Sequence, residues 1–210
     1  MGAFRGGRAA PWCNMTVQRR FDGRLPVYAK VSQTSGSPYV DRGREFPNPR
    51  PFESSRNSML PTVAEVLSAA QERAAAEGLS YFGAVTPEEA HALATELPNA
   101  RLIDVRTRAE WDFVGHIPRS VLIEWNSYPA GARNPAFLDE LRALVPDPET
   151  PLLFVCRSGQ RSDSAARAAT AAGYHRAFNV LEGFEGPRDD KGHRGTVGGW
   201  RKAGLPWVQG

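Results

Sequence analysis

The chain has 210 residues, a formal net charge of +3 and only two cysteines, Cys13 and Cys156. This length allows one folded domain and a tail, and no apolar run approaches the length of a membrane span, so we expect a soluble protein. Two cysteines exclude a disulfide framework and fit a reducing compartment such as the cytoplasm.

Charge is distributed unevenly, because residues 1–60 carry +6 and the rest of the chain carries −3. Residues 1–58 are rich in Gly, Pro, Ser and Arg and have no helix or strand periodicity, so we expect a disordered basic tail. Contact with nucleic acid or a membrane is not expected, since lysines are not clustered and no amphipathic stripe is present. There are two alternatives for this tail. It is a transit peptide, or it is translated sequence that lies upstream of a natural start at Met59.

Two predicted helices follow the tail. The first covers residues 62–77, with Thr62 at the N-cap of a capping box and a glycine after the last turn. We assign residues 59–85 to an N-terminal helical extension. The second helix begins after Thr86, where a proline suits the first helical position, and runs to about Leu97.

Strands and helices then alternate along the chain. In order, we predict a strand over 101–105, a helix over 109–113, a strand over 121–124, a helix over 135–144, a central strand over 152–155, a helix over 162–172, a strand over 177–181 and a last helical turn over 199–203. This alternation predicts an α/β fold with a parallel sheet and helices on both faces. The apolar run at 121–124 predicts a strand that is buried on both faces. Right-handed crossovers bring the carboxyl ends of the strands to one edge, where such sheets bind ligands.

Cys156 follows the apolar run 152–155 and precedes an alanine-rich helical stretch. Backbone N–H groups of a loop that enters a helix point toward an anion, and the helix dipole adds partial positive charge. Both effects favour the thiolate, which is the nucleophilic form of cysteine. A lone cysteine is more often a small buried apolar residue, but the neighbouring Arg157, Gly159 and Arg161 favour a working nucleophile.

Several motifs follow one another between about residue 86 and residue 207, namely Ile103-Asp104-Val105-Arg106, Glu110-Trp111, Gly115-His116-Ile117-Pro118, Leu153 to Ser162, Leu181-Glu182-Gly183, and Gly199-Trp200 to Pro206. In these motifs the chain resembles the rhodanese domain family. The resemblance implies a rhodanese-like domain over residues 86–210 and a thiosulfate sulfurtransferase. In that activity the cysteine takes a sulfane sulfur from a small anionic donor such as thiosulfate, holds it as a persulfide, and passes it to a thiol, cyanide or protein acceptor. The histidines show no metal-ligand spacing with cysteine, so we expect neither a metal nor a cofactor.

The resemblance places the site in the loop that begins at Cys156, which is the expected sulfur carrier. The loop amides are expected to cradle the persulfide, and they belong to Arg157, Ser158, Gly159, Gln160 and Arg161. The Arg157 side chain either attracts the anionic donor or is a solvated charge. Arg161 is expected to anchor the loop to a carboxylate such as Asp104 or Glu110. We also assign Asp104 and Arg106 to the binding site, as a structural pair that shapes the pocket wall or, alternatively, in direct contact with the substrate.

Two other functions are compatible with this fold. A non-catalytic binding or scaffolding module is disfavoured because the cysteine loop is retained. A phosphatase or arsenate reductase is disfavoured by the loop length, since Arg161 follows Cys156 after four intervening residues. The related phosphatases carry a loop one residue longer, which fits a phosphate, so the spacing favours sulfur.

An insert over residues 184–198 separates the last two motifs, which nearly adjoin in simple members of the family. It contains Arg188, Lys191 and Arg194 and follows a strand at its carboxyl end. We therefore expect the insert to lie on the same rim as Cys156 and to tune the choice of donor through its charge. The alternative is a solvated surface loop.

Overall fold

The computed structural model describes residues 61–209. The tail predicted over residues 1–58 and the alternative start at Met59 lie outside the described residues. Helices and strands alternate as α1 (Val63–Glu77), β1 (Gly83–Val85), α2 (Pro87–Glu96), β2 (Arg101–Asp104), α3 (Arg108–Val114), β3 (Val121–Leu122), α4 (Phe137–Leu144), β4 (Leu152–Val155), α5 (Gln160–Ala171) and β5 (Ala177–Val180). Among residues 61–209, no helix combines the length and the apolar character needed to cross a membrane.

The strands form one parallel five-stranded sheet in the order β1-β5-β4-β2-β3. The strand before Cys156, β4, lies in the middle and pairs with β2 and β5. Asp104 is the register partner of Val155, and Phe154 is the partner of Asn179, so these strands end side by side. The predicted α/β fold with a parallel sheet is confirmed.

Helices cover both faces of the sheet. Successive side chains of a strand point to opposite faces, and all four side chains of β4 are fully buried. Leu152 and Phe154 pack in one cluster with residues of α4 and α5, whereas Leu153 and Val155 pack in a second cluster with residues of α1 and α2. The continuous apolar run before Cys156 is therefore the pattern of a strand buried on both sides.

Three helices begin at threonine N-caps. The side chains of Thr62, Thr86 and Thr107 each accept a hydrogen bond from the backbone N–H three residues on. The glutamate side chain at that position accepts a hydrogen bond from the threonine backbone N–H. α1 ends at Gly78, which adopts a left-handed conformation with φ 61°. The predicted starts of α1 and α2 are confirmed, while the capping box of α3 is not among the predicted ones.

The first strand, β1, is absent from the predicted elements. It has three residues and lies inside the range 59–85 that we assigned to an N-terminal extension. β1 pairs with β5, and α1 packs on it so closely that a Cβ at Gly83 would lie 2.8 Å from the Ala70 Cβ. α1 and β1 thus share the sheet and core with the residues that follow. Three residues are too few to show a strand period.

The edge strand β3 differs from its prediction over residues 121–124. It spans only Val121–Leu122, and the Leu122 side chain is 38% exposed. Ile123 and Trp125, which follow the strand, are buried in the cluster formed with α4 and α5. The apolar run therefore reflects burial of the chain beyond the strand, and the prediction of a strand covered on both faces was wrong.

Two element ends also shift. α5 begins at Gln160 instead of residue 162, because Gly159 with φ 94° forms its N-cap. The last helical turn, predicted over residues 199–203, is a hydrogen-bonded turn in which the Ala203 N–H donates to the Gly199 carbonyl at 3.0 Å.

Candidate active site

Cys156 lies one residue beyond the carboxyl end of the central strand, and only 1% of its surface is exposed. α5 begins at Gln160 and has 12 residues. The helix N-terminus contributes partial positive charge close to the cysteine. The sequence of strand, short loop and helix places the thiol at the edge where parallel sheets bind ligands.

Two hydrogen bonds converge on the Cys156 sulfur. The Gly159 N–H donates to Sγ at 3.2 Å, and the Ser162 hydroxyl donates to Sγ at 3.2 Å. Both donors are buried, so water competes little for them. Such donors stabilise a thiolate more than a neutral thiol, because a charged acceptor forms the stronger hydrogen bond.

The Ser162 hydroxyl has a second acceptor, the Gly159 carbonyl oxygen at 3.0 Å. One hydroxyl carries one hydrogen, so Sγ and this carbonyl share a single donor. Sequence reasoning places Ser162 at the end of the loop motif but gives it no role. The available signal is its position in the first turn of α5, where a short hydroxyl side chain reaches back toward a loop.

Gly159 makes the bend that turns the loop into α5. Its φ of 94° is unfavourable for other residues, and a Cβ here would lie 2.0 Å from the Leu181 carbonyl oxygen. Gly159 thus combines a positive φ with a close approach to another backbone segment. The bend directs the Gly159 N–H toward Sγ.

Arg161 ties the loop to α3. Its guanidinium donates two hydrogen bonds to the Glu110 carboxylate, at 2.7 and 2.8 Å. Burial by itself raises the pKa of Glu110, but the hydrogen bonds from Arg161 and the Thr107 backbone outweigh it and lower the pKa to about 2. Of the two anchors expected for Arg161, Glu110 is the one observed, because Asp104 is engaged elsewhere.

Asp104 and Arg106 form a buried ion pair with a shortest N–O distance of 2.6 Å. Both residues are 0% exposed. Arg106 also donates to the Gly115 carbonyl at 2.7 Å and stacks on the Phe184 ring, 3.9 Å from its centroid. Neither side chain presents surface to a substrate, so the substrate-contact alternative does not fit this structure. The pair instead connects β2 to the turn after α3 and to the start of the insert.

The remaining side chains of the cysteine loop face outward. Arg157 and Gln160 are exposed, and Ser158 is half-buried. Arg157 has no ion-pair partner among the residues that the structure describes. Its charge is therefore exposed and unpaired within this part of the chain.

The insert over residues 184–198 packs against the backbone of the cysteine loop. The Phe184 N–H donates to the Cys156 carbonyl at 2.7 Å, and the Glu185 N–H donates to the Arg157 carbonyl at 2.9 Å. Phe184 itself is fully buried. The insert thus lies on the same rim as Cys156.

One carboxylate organises the outer part of the insert. Asp189 accepts hydrogen bonds from the backbone N–H groups of Lys191 and His193 and from the Thr196 hydroxyl. These bonds lower the pKa of Asp189, with the His193 N–H as the main cause. The insert is therefore an internally bonded loop.

Positive charge of the insert gathers near Arg157. Arg194 donates to the Gly186 carbonyl, and the Gly186 N–H donates to the Arg157 carbonyl at 3.2 Å. Burial lowers the pKa of Arg194, and the charges of Arg157 and Arg188 lower it further. Three guanidinium groups therefore share one rim.

A pocket of about 460 Å³ opens beside the cysteine loop. We call it the α3 pocket, and its lining residues are Thr107, Ala109, Glu110, Phe113, Val114, Asn126, Ser127, Tyr128, Pro129, Gly131, Arg157 and Arg161. Three separate segments of the chain line this pocket, so no local sequence pattern predicts it. A larger groove of about 690 Å³ runs along α2 and the start of β2.

Comparison with known proteins decides the family. The family model of the rhodanese-like domain matches residues 86–189. The uncharacterized protein RC0915 of Rickettsia conorii is 38% identical over 112 residues, which cover 52% of this chain and 83% of that protein. The chain belongs to the rhodanese-like domain family. The resemblance carried by the sequence motifs is thereby confirmed.

Two further proteins are similar to this rhodanese-like domain. The crystal structure of Rv0390 from M. tuberculosis superposes with a TM-score of 0.58 at 47% identity, covering 62% of this chain and 100% of that one. The thiosulfate:glutathione sulfurtransferase of Saccharomyces cerevisiae is 38% identical over 79 residues, which cover 37% of this chain and 56% of that protein. The family therefore includes sulfurtransferases among the relatives of this chain.

Proposed function

We propose that this rhodanese-like domain is a sulfurtransferase that carries a sulfane sulfur on Cys156. The proposal is supported above all by the two buried donors, the Gly159 N–H and the Ser162 hydroxyl, that converge on Sγ. A purely structural cysteine needs no such donors, because a neutral thiol is a weak acceptor. The name of the yeast relative supports the same chemistry.

In the first half-reaction the Cys156 thiolate attacks the outer, sulfane sulfur of thiosulfate. A sulfur–sulfur bond forms to Sγ, the bond between the sulfane and sulfonate sulfurs breaks, and its electron pair leaves with sulfite. The enzyme then holds a persulfide anion. Its charge is stabilised by the loop amides from Arg157 to Arg161 and by the N-terminus of α5.

In the second half-reaction a thiolate or cyanide attacks the outer sulfur of the persulfide. The bond between that sulfur and Sγ breaks, and its electron pair returns to Cys156 as the thiolate. The product is the persulfide of the acceptor thiol, or thiocyanate. Because Cys156 is now the leaving group, the donors on Gly159 and Ser162 also assist this step.

The two ion pairs of the site hold the loop in place in this proposal. Arg161 and Glu110 join the start of α5 to α3. Arg106 and Asp104 join the end of β2 to the turn after α3. These four residues are positioning residues, and neither pair forms a new bond during transfer.

We further propose that three cations at the rim, of which Arg157 and Arg188 are exposed and Arg194 is half-buried, attract the anionic donor. Arg157 belongs to the loop, and Arg188 and Arg194 belong to the insert. The positive charge of these groups, which Glu185 offsets in part, raises the local concentration of a dianion such as thiosulfate. The insert then tunes the choice of donor more than the chemistry.

The site of action is proposed to be a reducing cytoplasm, because the nucleophile must stay a free thiol. Within residues 61–209, Cys156 forms no disulfide. Neither nucleic acid nor a membrane is a proposed partner. Fractionation against compartment markers checks the location, and recovery from an oxidising compartment would contradict it.

Transfer of sulfur from thiosulfate to cyanide, followed as thiocyanate, tests the proposed function. We expect turnover by the full chain and its loss in Cys156→Ser, which is nearly isosteric and should fold. Ser164→Ala, on the exposed side of α5, is the control. Equal turnover in Cys156→Ser would exclude the persulfide route. A wild-type chain without turnover would favour the non-catalytic binding module.

A further inference from the structure

We propose that the groove along α2 is a second binding site, which takes a small organic anion with an apolar body. The inference goes beyond sulfur transfer and does not depend on it. It rests on two unpaired arginines, a strained backbone and a rigid apolar wall that meet in this one groove.

The groove lies at the opposite edge of the sheet from the cysteine. Arg101, which lines the groove, is the first residue of β2, whereas Cys156 follows the last residue of β4. These two strands are parallel, so a ligand of the groove and a sulfur donor occupy separate sites. The groove volume of about 690 Å³ is that of a small-molecule site.

Two arginines bring positive charge into the groove from neighbouring segments. Arg101 and Arg119 both line it and are both exposed. Each stands two residues before a member of the register pair Ile103 and Val121, which joins β2 to β3. Like charges on adjacent segments repel each other, and an anion bound between them would remove that repulsion.

No carboxylate in the groove compensates these two charges. None of its described lining residues is Asp or Glu, and the exposed Glu96 at the end of α2 does not line it. Within residues 61–209, neither arginine has an ion-pair partner. Arg101 donates only to the carbonyls of Pro98 and Ala100 in this part of the chain, and these carry no net charge. Guanidinium groups in this state suit an oxyanion such as a carboxylate, sulfonate or phosphate.

The backbone of Arg119 adopts a conformation that is unfavourable for arginine. Its φ is 65°, and among the described residues it is the only non-glycine residue with a positive φ. The Ser120 N–H donates to the Ile117 carbonyl at 3.2 Å, so Arg119 lies in a tight turn where glycine would be unstrained. An arginine kept at such a position favours a function for its side chain, and that side chain lines the groove.

Apolar and rigid residues form much of the remaining wall. Ala94 of α2 and Leu97, which follows the helix, are half-buried in the groove. Three exposed prolines, Pro98, Pro118 and Pro206, also line it. A proline ring fixes its own φ, so this wall loses little conformational freedom when a ligand binds. The lining therefore favours a ligand that carries an apolar body beside its anionic group.

The charge and the shape of the groove also select among occupants. Residues 1–60 of the chain carry +6, so the two arginines repel this segment. A concave site of this volume encloses most of a small molecule, which favours a small anion over an acidic protein segment.

The test uses two fluorescent probes that differ chiefly in one sulfonate group. 8-Anilinonaphthalene-1-sulfonate has an apolar body and an anionic group, whereas N-phenyl-1-naphthylamine has the apolar body alone. The full chain should bind the sulfonate probe about tenfold more tightly than the neutral probe. The double variant Arg101→Gln with Arg119→Gln should lose this preference and keep its affinity for the neutral probe. Equal affinities of the wild type for both probes would overturn the anion assignment.

The matched control removes two arginines from the opposite edge of the sheet. Arg188→Gln with Arg194→Gln lowers the positive charge at the rim near Cys156 by the same amount, and it should keep the wild-type affinity for the sulfonate probe. A loss of affinity in this control instead of in the groove variant would place the anion at the rim. That result would overturn the groove as the binding site.

Arg119→Gly separates binding from folding. Glycine adopts a φ of this sign without strain, so the melting temperature of this variant should equal or exceed that of the wild type. Its affinity for the sulfonate probe should nevertheless fall. A lower melting temperature with unchanged affinity would show that Arg119 serves the fold, and it would overturn the proposed role of its side chain.

Displacement of the sulfonate probe identifies the class of ligand. Hexyl phosphate should displace it from the full chain, whereas hexanol and inorganic phosphate should not at the same concentration, because each lacks one half of the ligand. Equal displacement by inorganic phosphate would overturn the apolar half of the assignment. Displacement by polyglutamate and not by hexyl phosphate would indicate an acidic protein segment and overturn the small-molecule assignment. A chain that binds the probe as proposed but transfers no sulfur would contradict the proposed function alone.

Discussion

At the residue scale, the Ser162 hydroxyl lies between two acceptors, the Cys156 sulfur at 3.2 Å and the Gly159 carbonyl at 3.0 Å. A thiolate draws the hydroxyl hydrogen to Sγ, because a charged acceptor forms the stronger bond. Once Sγ carries a second sulfur, the negative charge moves outward and the carbonyl becomes the better acceptor. We infer that Ser162 supports Cys156 whenever it is a thiolate, both as nucleophile and as leaving group.

We predict that Ser162→Ala slows alkylation of Cys156 by iodoacetamide at neutral pH by about tenfold, since a hydrogen bond to a charged group contributes roughly 1.5–3 kcal/mol. Ser162→Thr restores the donor and should restore the rate. Ser164→Ala is the matched control, because the Ser164 hydroxyl donates to the Gln160 carbonyl and not to the sulfur. Equal rates for Ser162→Ala and this control would show that the hydroxyl does not act on the sulfur.

Some residues of the site could be predicted from sequence and others could not. Cys156 and Gly159 stand in a local pattern of strand, loop and helix, whose geometry follows from few residues. The role of Ser162 depends on the bend at Gly159, which brings the first turn of α5 back toward the sulfur. For Asp104 and Arg106 the sequence indicates the edge of the sheet but not that both side chains turn inward.

At the element scale, one ion pair joins α3 to the cysteine loop. Arg161 and Glu110 have side chains that are 23% and 18% exposed. The pKa of Glu110 is about 2 in the folded chain, below the ~4.3 of an unfolded glutamate. A lowered folded pKa stabilises the fold at pH values above the unfolded pKa. This stabilisation is lost as the pH falls toward the folded pKa.

We predict that Glu110→Gln lowers the free energy of unfolding at neutral pH by on the order of 3 kcal/mol. The difference from the wild type should shrink as the pH falls below about 4. Urea unfolding at several pH values measures both effects. Glu77→Gln, at an exposed site of α1, is the control. A difference that stays constant down to about pH 3 would contradict the assigned cause.

The insert should act on donor binding. Replacing Arg188 and Arg194 by glutamine should raise KM for thiosulfate more than it lowers kcat, because the cations lie at the rim and not at the sulfur. Added salt should reduce the difference from the wild type. Lys202→Gln removes an exposed charge outside the insert and serves as the control. Equal KM values with equal salt dependence would leave the insert as a surface loop.

Elements with local signals could be predicted, and elements defined by distant partners could not. The capping box at Thr62 and the N-cap at Thr86 involve residues at most three positions apart, and both were predicted, whereas the equally local box at Thr107 was missed. β1 exists through its pairing with β5, which is remote in the chain. The exposure of Leu122 follows from the edge position of β3, which no local pattern encodes. The α3 pocket needs three segments at once.

At the scale of the whole molecule, α1 and β1 contribute to the core. Val66 and Ala70 of α1 are buried in the cluster that also contains Val85 of β1. We predict that a chain starting at Met59 melts cooperatively and transfers sulfur like the full chain, whereas a chain starting at Thr86 does neither. Thermal melting followed by circular dichroism, with activity assays, checks both. A chain from Thr86 that melts like the full chain would contradict this account of the core.

The alternation of strands and helices was enough to predict the parallel α/β sheet, because each crossover helix must pack on a face of the sheet. The order of the strands was not predicted. The order depends on whether each crossover leads to the adjacent strand of the sheet or passes over one or more strands. That choice is set by contacts between residues far apart in the chain. The central position of β4, and with it that of Cys156, was nevertheless readable from four consecutive apolar residues.

The central claim is that Cys156 carries the transferred sulfur, and the intact mass of the full chain after incubation with thiosulfate tests it most directly. We predict a gain of one sulfur, about 32 Da, that maps to the peptide containing Cys156 and disappears on addition of cyanide. Cys156→Ser should gain nothing. An unchanged wild-type mass, or a sulfur found on Cys13 instead, would contradict the claim.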